Sequence, residues 1–221
     1  MVEDSASFER RGAAGDRLCS PSAARNAGPI TEALRSVLAP SARVLEIASG
    51  TGEHGVRIVQ GLPGLTWQPS DPDPASRRSQ AAWASALPAA AIRPPLALDV
   101  TQDGWWQAAG GPYDALFCAN MVHIAPWAAA EGLMRGAAAL LAQGGPGPEP
   151  TGTLALYGPF SRRGAMADSN ASFHASLRAR DPAWGLRDLD DQVQPVAARF
   201  GLALTSIREM PTNNLFVTFE R

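Results

Sequence analysis

From Arg43 to Tyr157, short apolar segments alternate with helical ones, and this alternation limits the possible folds more than any other feature of the chain. The apolar segments predict strands at Arg43–Ile47, Leu65–Gln68, Pro95–Leu98, Tyr113–Cys118 and Thr153–Tyr157. The helical segments are predicted from about Pro29 to Pro40, over Glu53–Gln60, from about Pro74 to Leu87 and over Pro126–Leu141. Strands that alternate with helices imply crossover connections, which produce a parallel sheet with helices on both faces.

The C-terminal part departs from this alternation. Two apolar segments, Leu202–Arg208 and Leu215–Glu220, are separated only by the short loop EMPTNN, which leaves no room for a crossover helix. Strands joined so tightly must be antiparallel. The sequence therefore predicts an α/β, Rossmann-like class I methyltransferase fold, with a mostly parallel seven-stranded sheet that ends in an antiparallel hairpin.

The composition excludes several classes of function. All 19 basic residues of the 221-residue chain are arginines. This excludes a P-loop lysine, a pyridoxal phosphate Schiff base and the Tyr-x-x-x-Lys pair of short-chain dehydrogenases, because arginine neither deprotonates nor forms an imine. The net charge of −2 provides no basic field for nucleic acid or for an anionic membrane.

The domain organisation follows from the distribution of polar and apolar residues. Residues 1–22 are small, polar and charged and are predicted to form a mobile N-terminal arm, and residues 23–221 a single domain. No apolar stretch approaches the about 18 residues of a membrane span, and the N-terminus lacks the apolar core of a signal peptide, which favours the cytoplasm. Residues 158–194 are too many for a simple crossover and are predicted to form a cap over the substrate pocket. The two cysteines and three histidines lack metal-ligand spacing.

The segment ASGTGEHG after the first of these strands allows two interpretations. Gly50, Gly52 and Gly55 match the G-x-G-x-x-G pattern of dinucleotide-binding enzymes. With Glu46 in front, the segment also matches a loop that binds S-adenosylmethionine. The carboxylate of Glu46 would face the amino group and the sulfonium of that cofactor, whereas the pyrophosphate of a dinucleotide would repel the carboxylate. A tight turn without a ligand, with His54 packed against it, is the alternative. The candidate cofactor contacts in this loop are Ala48, Ser49, Gly50, Gly52 and His54.

Polar residues also follow the later strands, and open α/β sheets bind ligands at the carboxyl ends of their strands. Asp71 is expected to accept hydrogen bonds from ribose hydroxyls, or else to cap the next helix. Asp99 is expected to accept from an adenine amino group while Val100 packs on the ring, or else to be a solvated loop residue. Backbone carbonyls of Asn120 and Met121 would hold the ammonium group of the cofactor.

A series of ordered segments resembles the methyltransferase-like 26 family, a set of small S-adenosylmethionine-dependent methyltransferase-like proteins. The segments that carry the similarity, over residues 23–221, are AARNAGPI, VLEIASGTGEH, WQPSD, LALDV, NMVHIAPW, YGPF, SNASFHASLRARDPAWGLRD and MPTNN. The resemblance implies the class I methyltransferase fold and S-adenosylmethionine binding, but no particular methyl acceptor. Ala48, which stands where many methyltransferase loops have their first glycine, is not a departure within this family.

The remaining candidates lie on the predicted acceptor side. His123 and Tyr157 are the predicted catalytic residues; His123 would orient the acceptor or take its proton, with a structural role as the alternative. Arg25 and Asn26 precede the first predicted helix and would fold the arm across the cofactor, so Asn26 is a predicted cofactor contact and does not belong to the acceptor side. The predicted substrate-binding residues of the cap are Asn170, Phe173, Arg178 and Trp184. This mix suits a small polar or anionic acceptor, and a cap core with solvated arginines is the alternative.

The sequence thus predicts an enzyme, an S-adenosylmethionine-dependent methyltransferase that acts on a small polar or anionic acceptor. A non-catalytic S-adenosylmethionine-binding protein and an NAD(P)-dependent oxidoreductase are the alternatives. The missing lysine and the antiparallel hairpin count against the oxidoreductase. The expected partner is a small-molecule substrate, without nucleic acid, membrane or metal.

Overall fold

A computed structural model describes residues 12–88, 91–142 and 152–221. The helices are α1 (Pro21–Arg35), α2 (Glu53–Gly61), α3 (Pro74–Ala84), α4 (Trp105–Ala109), α5 (Trp127–Leu141), α6 (Asp168–Arg180) and α7 (Gln194–Arg199). The strands are β1 (Gly12–Ala14), β2 (Arg17–Cys19), β3 (Arg43–Ile47), β4 (Thr66–Pro69), β5 (Ala115–Ala119), β6 (Thr153–Gly158), β7 (Ala203–Met210) and β8 (Asn214–Glu220). None of the helices in these ranges is long and apolar enough to span a bilayer.

The central sheet has the predicted mixed topology. Its strand order within the described ranges is β4-β3-β5-β6-β8-β7, with β3 parallel to β4 and β5, and β5 parallel to β6. The hairpin prediction is confirmed, because β8 pairs antiparallel with both β6 and β7. The last strand of the chain therefore lies between two earlier ones.

The sheet has six strands in the described part of the chain, whereas the sequence predicts seven. The predicted strand Pro95–Leu98 contributes only an isolated bridge between Leu96 and Ser70, and a second bridge joins Ile92 to Trp67. Prolines 94 and 95 separate these two bridges, and a proline has no N–H with which to continue a ladder. The segment accordingly follows the edge of β4 without forming a regular strand.

Two apolar layers cover the faces of the sheet and confirm the helices on both sides. On one face, Leu45 and Leu116 pack with residues of α5, among them Leu133 and Ala137. On the other face, Val44 and Phe117 pack with α1 and α2. The alternation of side chains along β3 and β5 supplies both layers, as expected for a strand buried on both faces.

The N-terminal region is more ordered than the sequence predicts. Residues 12–19 form the β1–β2 hairpin, and helix α1 begins at Pro21 instead of near Pro29, which lies inside it. Ser20 is the N-cap, with its hydroxyl accepting from the Ala23 amide. Residues 12–22 of the predicted mobile arm thus contain the hairpin and the start of α1, residues 1–11 lie outside the described ranges, and the mobility of the arm stays a prediction. Asn26 consequently sits within α1 and not ahead of it.

Hydrogen bonds attach the β1–β2 hairpin to helix α3. The Leu18 amide donates to Ser79 Oγ at 2.8 Å, and its carbonyl accepts from Trp83 Nε1 at 2.9 Å. The Arg17 guanidinium donates to the Ala82 carbonyl at 3.0 Å and lies over the Trp83 ring. These contacts use both the backbone and the side chains of the hairpin, so it is part of the folded domain.

The cap segment, residues 158–194, contains helix α6 and a π-helical turn at Leu189–Val193. The Asp188 carboxylate organises it by accepting from the Gly164 amide at 2.8 Å and from Ser161 Oγ at 2.9 Å. The Arg187 guanidinium donates to the carbonyls of Val122, Ala125 and Ala183. These bonds fix the cap to the turn that follows β5, next to the carboxyl ends of the strands.

Candidate functional site

The loop after β3 has the backbone geometry of a close-approach turn. Ala48, Gly50 and Gly52 all have positive φ, at 54°, 54° and 84°. A Cβ at Gly52 would come within 2.7 Å of Gln80 Cα in α3, whereas a Cβ at Gly50 would have nothing within 4 Å. Gly52 therefore permits close packing of the loop on a helix, and Gly50 leaves open space above the loop.

Neighbouring elements hold this loop in one conformation. The Gly50 amide donates to Asp71 Oδ2 at 2.9 Å, and its carbonyl accepts from Gln80 Nε2 at 3.1 Å. The Ser49 amide donates to the Ser70 carbonyl at 2.8 Å. Ser79 Oγ donates to the Thr51 carbonyl at 2.7 Å. The end of β4 and one face of α3 thus fix the loop from below.

The side chain of Glu46 is held by the neighbouring strand β4. It is 2 % exposed, and its Oε2 accepts from Trp67 Nε1 at 2.9 Å, behind the loop. Burial raises the pKa of Glu46 to about 7, and the hydrogen bonds from Trp67 and Ser49 oppose this shift. Glu46 does not line the cleft above the loop, and a contact between its carboxylate and a cofactor stays a prediction.

A cleft of about 440 Å³ opens above the loop at the carboxyl ends of the strands. This volume is in the range of small-molecule sites. Its walls come from the loop, from α1, from the turn after β5, from the cap and from the β7–β8 loop. The lining residues are Ser20, Ser22, Ala23, Arg25, Asn26, Ala48, Ser49, Gly50, Thr51, His54, Ala119, Asn120, Ile124, Pro159, Ser169, Asn170, Phe173, Thr212 and Asn214.

The structure brings about half of the predicted site residues to this cleft. Those that line it are Asn26, Ala48, Ser49, Gly50, His54, Asn120, Asn170 and Phe173. Those that do not are Glu46, Gly52, Asp71, Asp99, Val100, Met121, His123, Tyr157, Arg178 and Trp184. Residues of the loop and Asn26 of α1 thus lie at the cleft, while several side chains at the strand ends make hydrogen bonds within the fold.

Asp71 and Asp99 have different surroundings. Asp71 is 7 % exposed and accepts from the amides of Gly50 and Asp73, so its carboxylate adjoins a residue of the cleft wall. The helix-capping role proposed as the alternative for Asp71 belongs to Asp73, which accepts from the first amides of α3. Asp99 accepts from the amide and the hydroxyl of Thr101, which closes a turn after the bridge segment. Hydrogen bonds from Thr101 lower the pKa of Asp99 although partial burial raises it.

His123 has the structural role that the sequence leaves as an alternative. It is completely buried, its Nδ1 accepts from the Arg187 amide at 3.2 Å, and its ring packs edge-on against Phe160. Burial and the charge of Arg187 lower the pKa of His123 to about 3, so the ring is neutral and is a poor proton acceptor at neutral pH. Its carbonyl also accepts from the Gly185 amide. His123 joins the cap to the turn after β5 and does not reach the cleft.

Tyr157 is buried in β6, with 1 % of its surface exposed. Burial raises the pKa of its hydroxyl to about 12, and the positive charge of Arg25 opposes this shift. The hydroxyl is therefore protonated at neutral pH and can only donate or accept a hydrogen bond. Arg25 itself lines the cleft, so its charge acts on Tyr157 from the edge of the cleft.

The cap and the β7–β8 loop meet at the rim of the cleft. Asn170 Nδ2 donates to the Asn213 carbonyl at 2.9 Å, and Asn213 Nδ2 donates to Ser169 Oγ at 3.0 Å. Thr212 has a φ of 58°, which is unusual for a β-branched residue. Phe173 is 38 % exposed and lines the same rim. Left-handed β-branched residues are uncommon and concentrate at functional sites, which agrees with the position of this loop.

Two of the predicted substrate residues lie elsewhere in the cap. The Arg178 guanidinium donates to the Pro182 carbonyl at the end of α6, and Arg178 does not line the cleft. Trp184 is half-buried and also lies outside the lining. The guanidinium that does line the cleft is Arg25 of α1. Ser20 followed by Pro21 is a helix-start signal that would have placed Arg25 inside a helix from the sequence alone.

The sheet order, the glycine loop and the cleft above it together define the class I methyltransferase fold. The chain belongs to the family described as a protein of unknown function (DUF938), whose model matches residues 17–221. The segments that carry the sequence resemblance lie within this match.

Solved methyltransferase structures share the fold at low sequence identity. An O-methyltransferase family protein from Burkholderia thailandensis has a TM-score of 0.70 at 18 % identity, over 89 % of this chain and 56 % of its own. A putative O-methyltransferase from Nostoc punctiforme has a TM-score of 0.70 at 16 % identity, over 88 % and 56 %. Magnesium protoporphyrin IX methyltransferase from Synechocystis, solved with bound S-adenosylhomocysteine, has a TM-score of 0.63 at 14 % identity, over 89 % and 82 %. The chain therefore spans little more than half the length of the first two.

Proposed function

We propose that this protein is an S-adenosylmethionine-dependent methyltransferase that transfers a methyl group to a small polar or anionic acceptor. The observation that carries the proposal is the glycine loop, whose Gly50 amide is bound by Asp71 and whose open face forms one wall of the cleft. The fold shared with solved methyltransferases supports it. The resemblance to the methyltransferase-like 26 family supports it as well.

The residues of the cleft fit this cofactor. Gly50 carries no side chain into the open space, so a ligand can lie against the backbone of the loop. We propose that Asp71 accepts hydrogen bonds from the ribose hydroxyls, because its carboxylate adjoins Gly50 at the end of β4. Ser49 and Asn120, which follow β3 and β5 and both line the cleft, are proposed to hold the methionine part. S-adenosylmethionine would supply a methyl group on a sulfonium, ready for in-line transfer to a nucleophile.

The protein would contribute to the reaction mainly by positioning the cofactor and the acceptor. In-line transfer gains much of its rate from alignment of the reactants, and a nucleophile that arrives ionised needs no base. The buried, neutral His123 does not act on the acceptor in this proposal; it holds the cap in place through the Arg187 amide. Tyr157 keeps its proton because its pKa is raised, and as a buried residue of β6 outside the cleft lining it is assigned no contact with the acceptor.

Calorimetric titration tests cofactor binding. The protein is expected to bind S-adenosylmethionine and S-adenosylhomocysteine, and not NADH. Asp71→Asn should weaken S-adenosylhomocysteine binding by about tenfold or more, because it removes charge-assisted hydrogen bonds worth about 1.5–3 kcal/mol. Asp73→Asn is the matched control, since asparagine caps a helix as well as aspartate does. Binding of NADH alone would overturn the proposal.

Methyl transfer is tested separately from binding. The protein is incubated with S-adenosylmethionine labelled in its methyl group and with an extract of small metabolites, and labelled products are separated. Transfer of label that is lost in Asp71→Asn and kept in Asp73→Asn is the expected result. Binding of S-adenosylmethionine without any transfer above the Asp71→Asn background would indicate the non-catalytic binding protein instead.

A further inference from the structure

The described lining of the cleft contains a positively charged side chain and no negatively charged one. Among the described residues that line it, Arg25 is the one with a permanent charge, and no aspartate or glutamate is present. The other polar groups are hydroxyls of serine and threonine, amides of asparagine, and the imidazole of His54. A cleft with a guanidinium and without a carboxylate favours a ligand that brings its own negative charge.

Arg25 is not used by the folded structure in its described parts. Each ion pair found there involves another arginine, and no hydrogen bond joins the guanidinium of Arg25 to another described residue. Its helix is nevertheless fixed in position. The Ser20 amide at the start of α1 donates to Glu53 Oε2 of α2 at 3.1 Å, and Ile30 and Leu34 of α1 are completely buried. The exposed guanidinium of Arg25 is thus presented to the cleft from a rigid element.

The position of Arg25 places it on the acceptor side. Its charge acts on the hydroxyl of Tyr157 in β6, and β6 is separated from the loop strand β3 by β5. The amides of Asn170 and Asn214 line the same cleft from the cap and from the start of β8, the neighbour of β6. Asp71, which binds the Gly50 amide of the loop, follows β4 at the other end of the strand order. Arg25 thus lies close enough to β6 for its charge to act on Tyr157, whereas the proposed ribose contact adjoins the end of β4.

We propose that Arg25 is the anion-binding residue of the acceptor subsite, and that the acceptor is a small molecule with a carboxylate or a similar oxyanion. This inference rests on the proposed methyltransferase function. A planar guanidinium binds a carboxylate through two parallel hydrogen bonds, a geometry that lysine does not offer. The amides of Asn170 and Asn214, which line the cleft, would complete the subsite as neutral hydrogen-bond partners. The carboxylate of the methionine part of the cofactor has the same chemistry, and the experiment distinguishes the two sources.

The experiment compares carboxylates with their neutral amides. Benzoate, phenylacetate and glutarate, and the corresponding amides, are titrated calorimetrically into the protein with and without saturating S-adenosylhomocysteine. At least one carboxylate is expected to bind the wild-type protein at least about tenfold more tightly than its amide. Arg25→Gln should remove this preference, Arg25→Lys should restore part of it, and affinity for S-adenosylhomocysteine should stay within about twofold.

Arg78→Gln is the matched control, because Arg78 is also an exposed helical arginine and does not line the cleft. It should bind carboxylates as the wild type does. Thermal unfolding of Arg25→Gln checks the fold, and its midpoint should stay within about 2 °C of the wild type, as for other exposed substitutions.

Two results would overturn the inference. Absence of carboxylate preference in the wild-type protein would show that the subsite does not select anions. An Arg25→Gln variant that loses S-adenosylhomocysteine affinity as strongly as carboxylate affinity would assign Arg25 to the carboxylate of the cofactor. Failure of the wild type to bind S-adenosylhomocysteine would instead contradict the proposed function, while the titrations without it still test Arg25.

Discussion

Ala48 adopts a left-handed backbone conformation, with a φ of 54°, at the first turn after β3. A residue with a Cβ pays about 1–2 kcal/mol for this conformation, and glycine does not. Ala48→Gly is therefore expected to raise the free energy of unfolding by up to about 1 kcal/mol, after the greater chain entropy of glycine is subtracted. Guanidinium denaturation measures the change.

The same substitution inside a helix provides the control, because its expected effect on stability has the opposite sign. Ala24 lies exposed within α1, where replacement of alanine by glycine should lower the free energy of unfolding by about 1 kcal/mol. Equal losses of stability in Ala24→Gly and Ala48→Gly would mean that the loop backbone is not strained.

Glu46 gives the protein a pH-dependent stability. Its pKa in the folded protein is about 7, above the ordinary value of 4.5, so the folded state holds the proton more tightly than the unfolded chain. The protonated side chain stabilises the fold below pH 4.5, and this contribution of a few kcal/mol is lost as the pH rises from about 4.5 to about 7. Glu46→Gln cannot ionise and can still accept from Trp67 Nε1.

The variant should consequently gain stability relative to the wild type as the pH rises. Guanidinium denaturation of both proteins at pH 5 and pH 8 measures this difference. Glu32→Gln, which changes an exposed carboxylate on α1, is the charge-matched control. A difference between wild type and Glu46→Gln that stays constant over this range would contradict the buried, protonated state of Glu46.

At the residue scale, the sequence predicts positions better than orientations. It places Glu46 and Asp71 correctly at the ends of neighbouring strands. The direction of each side chain depends on partners remote in sequence, which the pattern does not identify. Glu46 accepts from Trp67 of β4, and the carboxylate of Asp71 binds the Gly50 amide in the loop after β3. A strand pattern contains neither of these tertiary hydrogen bonds.

At the scale of elements, the two glycines of the loop have separable roles. Both have positive φ, so alanine at either position costs about 1–2 kcal/mol in backbone conformation. A Cβ at Gly52 would also overlap Gln80 Cα of α3, which adds about 1–3 kcal/mol. Gly52→Ala is therefore expected to lower the free energy of unfolding by about 1–3 kcal/mol more than Gly50→Ala does.

For ligand binding we expect the opposite: the substitution at Gly50, which costs less stability, should weaken binding more than its effect on stability explains. A methyl group at Gly50 would stand in the open space of the cleft, so Gly50→Ala should weaken S-adenosylhomocysteine binding beyond what its modest loss of stability explains. Denaturation and calorimetry on the two variants measure both quantities. Equal stability losses would show that the loop moves away from α3 at little cost.

Sequence patterns predict most elements of the sheet and miss those decided by single residues. Strand β3 has the predicted bounds, and the C-terminal hairpin pairs as its short loop requires. The strand over residues 95–98 is absent because prolines 94 and 95 interrupt its ladder. Helix α1 starts eight residues before its predicted position, at Pro21 instead of Pro29. Pro29 lies inside α1 and resembles a helix-start signal, whereas Ser20 and Pro21 form the signal at which the helix begins.

At the scale of the whole molecule, ligand binding and unfolding are linked. A ligand that binds only the folded state stabilises it by about 2.7 kcal/mol at a concentration of 100 times its dissociation constant. If the proposed function holds, S-adenosylhomocysteine at that concentration should raise the unfolding midpoint by about 5–10 °C. Differential scanning fluorimetry measures this shift. NADH is the control, and a shift with NADH but none with S-adenosylhomocysteine would contradict the proposal.

The overall architecture is predictable because it depends on features repeated along the whole chain. The alternation of strands and helices determines the parallel part of the sheet, and the two apolar layers confirm it. The cleft depends instead on where α1, the cap and the β7–β8 loop meet. Their contacts join residues far apart in the sequence, such as Asn170 with Asn213, and no local pattern predicts them.

The insertion of β8 between β6 and β7 has a consequence for biosynthesis. β8 follows every other strand in the sequence, and it is the strand that pairs with β7 in the described sheet. While the chain emerges from the ribosome, β3, β4 and β5 can already associate, but β6 keeps one open edge until residues 214–220 appear. An open strand edge is a template for pairing with other chains. A nascent chain that stalls before this segment is therefore the form of the protein most exposed to aggregation and most dependent on chaperones.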